Sequence, residues 1–195
     1  MNRVDYKKIN RALSFVVLGY CVLQMGEHWH ISLIEDEEYF KYIPWWISSP
    51  LFFTAVSKLE KFNHDMKLLK PLCVIMGFID LTEWVVSVFE IEIPFEAYIL
   101  KFISSVIVLY FNYQLLTNIS QIAEKCGYDT IKGMLLLRDI RTVYVTIYML
   151  LLPFADILKA SYWYSWIGWF TIILIRNSLN SFECYLLELE KSEKK

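Results

Sequence analysis

Long apolar runs alternate with short charged ones along the whole chain, and the charged runs themselves alternate in sign. All but four of the 19 Lys and Arg residues fall in four clusters: Arg3, Lys7, Lys8 and Arg11; Lys58, Lys61, Lys67 and Lys70; Lys125, Lys132, Arg138 and Arg141; Lys191, Lys194 and Lys195. The apolar runs between them turn round at acidic stretches, residues 27–38 and 90–96. A bilayer core about 30 Å thick takes about 20 helical residues. Six stretches approach that length: residues 12–31, 42–57, 71–89, 97–118, 142–158 and 162–186. The pattern predicts an all-α fold, a polytopic membrane helix bundle of six transmembrane helices in a single domain. Bases inside and acids outside put both the N and the C terminus on the cytoplasmic side.

Some stretches carry more detail. The second segment is short and holds Pro44 and Pro50. It reads as a spanning helix, because Lys58 and Lys61 then lie inside, with a re-entrant piece packed against protein as the alternative. After the fourth segment, Ile119, Ile122, Ala123 and Cys126 repeat at helical spacing, so that helix is expected to run on into the cytosol or to lie along the interface, and to stop at Gly127. Lys159, Ala160 and Ser161 form a tight turn between the fifth and sixth segments. The stretches after Gly19 and Gly77 share a glycine followed by an acid, too little for a duplication.

Composition agrees with lipid as the solvent. The chain is 56% hydrophobic, against about 45–50% in ordinary soluble domains. Net charge is −2 and the bases are spread along four edges, which excludes a nucleic-acid surface. The first segment has no small-residue cleavage pattern, so it is expected to be retained as a helix. The four cysteines form no CxxC pair, which argues against a disulfide framework or a zinc knuckle. No GxSxG, HExxH or glycine-rich phosphate loop is present. All 7 tryptophans map to the outer half, as an interfacial aromatic belt would, or as a ligand-facing pocket.

Ionisable side chains within such segments are costly and therefore informative. At a rise of about 1.5 Å per residue, Glu27, Glu83 and Asp156 all come out roughly 18–22 Å above the cytoplasmic edge. His28 and His30 lie just above them. Glu27, His30, Glu83 and Asp156 form the candidate ligand or proton site. Glu27 and His30 share one side of a helix, as do Asp80 and Glu83, because residues three apart are neighbours. Glu27, His28, His30 and Glu83 also supply oxygen and nitrogen donors of the kind a divalent metal such as Mn²⁺, Fe²⁺ or Zn²⁺ accepts. The competing reading is a solvated helix end. Deeper down, Asp80 and Arg176 fall at similar depth and are expected to form a buried ion pair. Arg138 and Arg141 read as topology anchors, with lipid phosphate as a further ligand.

These residues point first to a transporter or a solute- or ion-binding membrane subunit with an outward-facing polar site. A non-catalytic membrane scaffold or accessory subunit is the second reading, and a membrane-embedded enzyme acting on a lipid-like substrate the third. The expected setting is a bacterial cytoplasmic membrane. The expected partners are the lipid bilayer and a partner membrane protein or a homo-oligomer.

Overall fold

Helix is the only extended element in the described residues. The computed structural model describes residues 5–28, 44–89, 97–151 and 161–193. They form α1 (Tyr6–His28), α2 (Ser48–Leu59), α3 (Leu69–Val88), α4 (Ala97–Lys125), α5 (Ile131–Leu151) and α6 (Ser161–Glu193). Short 3₁₀ turns at Trp45–Ile47 and His64–Leu68 precede α2 and α3. Each helix packs on its neighbour in chain order and α6 returns to α1, so the helices close a ring. Neighbours run antiparallel: Ser14 Oγ donates to Glu183 Oε1 at 2.8 Å, while Arg176 Nη1 donates to Cys21 Sγ at 3.8 Å, higher on the same two helices.

Local chemistry sets the helix ends. Asp5 caps α1, its Oδ1 accepting from the Lys8 N–H at 3.1 Å. The side-chain bond from Lys8 holds its carboxyl below the ordinary value. Between α2 and α3, the Asn63 side chain accepts from the Asp65 N–H and donates to Gln121 Oε1 at 2.8 Å, tying this connection to α4. An ion pair from Lys70 to Glu60 spans the same connection. Pro71 sits in the first turn of α3, where backbone N–H groups have no helical partner to lose.

Gly127 ends α4 as expected. Its φ is +77°, the left-handed region. The Tyr128 N–H returns to the Ala123 carbonyl at 3.0 Å and the Gly127 N–H to Glu124 at 2.9 Å, the two bonds of a Schellman cap. Tyr128 is buried beyond the cap, its ring 5.1 Å from Phe182 and 5.2 Å from Tyr185. The Tyr185 hydroxyl donates to the carbonyls of Cys126 and Gly127. The end of α4 is thus fastened to α6.

Aromatic side chains fill the middle of the ring. The Phe52 ring packs edge-on against Tyr20 and against Phe111, each at 5.2 Å. The Tyr20 hydroxyl donates to Asn112 Oδ1 at 2.6 Å, a buried bond between α1 and α4. Two glycines admit α2 to this packing. A Cβ on Gly19 would lie 2.8 Å from the Phe52 ring, and one on Gly77 would lie 3.2 Å from Ser49 Cβ.

The outside of the ring is strongly apolar. On α5, Leu136, Ile140, Val143, Ile147 and Leu150 form one exposed stripe, while Arg141 faces inward at 3% exposure. On α4, Phe102, Ile103, Val106 and Tyr110 are exposed, whereas Asn112 and Asn118 are buried. On α3, Val74, Ile75 and Phe78 are exposed and Asp80 is buried. The core is apolar as well, whereas a soluble bundle turns charged and polar residues to its outer face.

The segments differ in detail from the expected spans. Among the described residues one stretch, Phe102–Lys125 in α4, is long and apolar enough to cross a membrane by length and composition. The second segment yields a helix of 12 residues, which at about 1.5 Å per residue is about 18 Å long. That is short of a core about 30 Å thick. Helix α5 starts at Ile131, not at residue 142, because Ile131 and Met134 pack inward against the core. Helix α6 continues to Glu193.

Candidate functional site

Ser49 is the second residue of α2, and its position there brings it against α3. Its Oγ donates to Asp80 Oδ2 at 3.2 Å, and both residues are buried, Asp80 at 9% exposure. Gly77, one turn before Asp80, makes this approach possible because a side chain there would crowd Ser49. Among the described residues no Lys, Arg or His forms an ion pair with Asp80. Burying a carboxylate without a countercharge is expensive, so such a group is held neutral by a proton or paired with a bound cation.

Two sides of this contact are unfinished in hydrogen-bonding terms. Ser48 is fully buried and its Oγ has no hydrogen-bond partner among the described residues. The indole N–H groups of Trp46 and Trp84 are also buried and have no partner among the described residues. This departs from a simple interfacial belt, in which the indole N–H reaches the wet headgroup region. Beside the Ser49–Asp80 contact lies a cleft of about 340 Å³ between α2 and α3. Trp46, Ser49, Pro50 and Phe53 form one wall, and Cys73, Val74, Gly77, Phe78 and Leu81 the other.

The expected Asp80–Arg176 ion pair is not formed. Asp80 bonds Ser49 on α2 and Arg176 bonds Cys21 on α1. The ring explains this: α3 packs between α2 and α4, and α6 between α5 and α1, so the two helices hold opposite places. Similar depth therefore did not mean proximity. Arg141, read as a topology anchor, is instead buried and donates to Thr171 Oγ1 at 3.2 Å. Arg138 stays at the edge, over the Tyr113 ring at 4.5 Å and bonded to Thr117 and Asp139.

Of the outer candidates, Glu83 is described: it is half-buried on α3, one turn beyond Asp80. Glu27 and His28 belong to the last turn of α1, with side chains outside the described residues. His30 and Asp156 lie outside the described residues altogether. Among the described residues no group of three or more His, Cys, Asp or Glu is arranged to hold a metal ion. The cysteines in this set are free thiols.

Sequence reasoning missed Ser49 and the cleft. The available signal was the Gly77–Asp80 spacing on α3, a notch and an acid one turn apart, opposite the Ser48–Ser49 pair. Comparison with protein-family models, with curated proteins and with solved structures finds no match for this chain.

Proposed function

We propose that this chain is a polytopic integral membrane protein, both ends cytoplasmic, that binds a small solute or ion in its outer half, as a transporter or as the binding subunit of one. The observation that carries the reading is the exposed aliphatic stripe of α5. Its five aliphatic side chains point outward while Arg141 is buried on the opposite side. In water such a contiguous apolar stripe would be a patch of the kind monomeric soluble proteins rarely leave uncovered. In lipid it is at no cost, and buried polar groups then hold the helices together. Six crossings follow from this reading if the 3₁₀ turn and α2 together serve as one short crossing.

Asp80 supports the binding half of the proposal. A membrane-buried acid with a single hydroxyl donor and no countercharge among its described neighbours is a site for a proton or a cation. Glu83 extends the same acidic line outward. Glu27, His30 and Asp156, which the sequence puts at the level of Glu83, are proposed as the outer mouth of that path. Asp80 is the inner station of the path.

Native mass spectrometry on the chain extracted gently from its own membrane tests this. A cation or small molecule retained by the wild type and absent from Asp80→Asn is the expected result. A chain carrying the same bulk lipid in both forms would leave the scaffold reading, in which buried polar pairs such as Tyr20–Asn112 serve packing alone.

A further inference from the structure

We propose, building on the membrane-embedded reading, that the cleft between α2 and α3 receives an apolar amine in its protonated form, the ammonium bonding Ser49 and the hydrocarbon lying between the aromatic walls. Two features, the Ser49–Asp80 bond and the aromatic lining, favour a cation over a neutral lipid chain. Asp80 lies directly behind Ser49, at 3.2 Å, with no cationic partner among the described residues. The Ser49 hydroxyl spends its single proton on Asp80, so its remaining lone pairs are available to accept from a ligand N–H. The charge of the ammonium is thereby joined to the carboxylate through one hydroxyl. Trp46, Phe53 and Phe78 line the same cleft, and aromatic faces attract ammonium groups.

Size and access fit a small amphiphile. The cleft of about 340 Å³ lies at the lower end of ligand pockets, which run from roughly 300 to 1,000 Å³. Phe53, Val74 and Phe78 are both lining residues and exposed, so the cleft opens sideways onto the apolar outer surface. An amine that partitions into a bilayer reaches it from there.

The test is calorimetric titration of the full chain in nanodiscs with phenylbutylamine, charged at neutral pH, against phenylbutanol, its neutral counterpart of similar shape. The amine is expected to bind at least about tenfold more tightly than the alcohol. Asp80→Asn is expected to erase that preference. Equal affinity for amine and alcohol in the wild type makes the cleft a lipid-chain groove and overturns the proposal. So does an unchanged preference in Asp80→Asn. Should that variant fail to fold, Phe53→Ala with Phe78→Ala removes two exposed walls, and amine affinity is expected to fall about tenfold. No fall in that double variant also overturns the proposal. Recovery of the chain in the soluble fraction would defeat the membrane reading separately, since titration of the purified chain still reports on the cleft.

Discussion

Single glycines decide how closely this chain packs. At Gly127 a φ of +77° closes α4 and lets Tyr128 turn into the core. Gly127→Ala places a side chain in that left-handed conformation, at a cost of about 1–2 kcal/mol. A lower melting temperature by circular dichroism in detergent is expected, with Gly127→Asn closer to the wild type. Gly19→Ala acts differently, since its Cβ would meet the fully buried Phe52 ring at 2.8 Å. Overpacking of this kind costs about 1–3 kcal/mol. The same thermal melt checks it, and Phe52→Leu in the same chain is expected to recover part of the loss. Gly127 was legible in the sequence because a stop signal acts on its own neighbours. The role of Gly19 was not, because its meaning depends on a ring 33 positions away that only the fold brings near.

Whole elements show where the surface changes character. On α4 the exposed side chains turn from Tyr110 and Tyr113 to Gln121, Glu124 and Lys125. On α6 they turn from Ile167 and Phe170 to Asn177, Asn180 and Ser181. The Tyr185–Gly127 contact registers these helices, so both changes fall at about the same height. The proposed inner membrane boundary accordingly crosses α6 near Asn177, above the residue 186 expected from hydropathy. Hydropathy averages over a helix and cannot see that this face of α6 turns polar while Leu179, Phe182 and Leu186 stay buried inside. The link between α2 and α3 carries its own acid response. The Lys70 ammonium bonded to Glu60 holds that carboxyl below its ordinary 4.5. A depressed folded-state pKa adds stability above the unfolded value, and that stability is lost as pH falls through the folded one. A pH series of thermal melts is expected to show Glu60→Gln less acid-sensitive than the wild type below pH 4.5.

At the scale of the molecule, the all-α architecture was legible because each segment carries its own length and charge. Neighbour relations were not. Asp80 and Arg176 matched in depth, yet a ring ordered as the chain sets α3 and α6 apart, and the acid was left to Ser49. The proposed orientation has a natural reporter. Cys184 is exposed toward the C-terminal end of α6, whereas Cys73 is buried. A membrane-impermeant maleimide is expected to label Cys184 in inside-out vesicles and to spare it in intact cells. Labelling from the outside would reverse the orientation.

In the proposed membrane setting, the short α2 would have a consequence for the surrounding bilayer. At about 18 Å it falls well short of an apolar core about 30 Å thick, a hydrophobic mismatch that lipid would meet by thinning locally. Headgroups would then be drawn inward along that one side, toward the level of Trp46 and Ser49. On that reading, the depth of the carboxylate behind Ser49 would be a property of the membrane as well as of the fold. Thicker, more ordered bilayers bury it further, and thinner ones bring it closer to water.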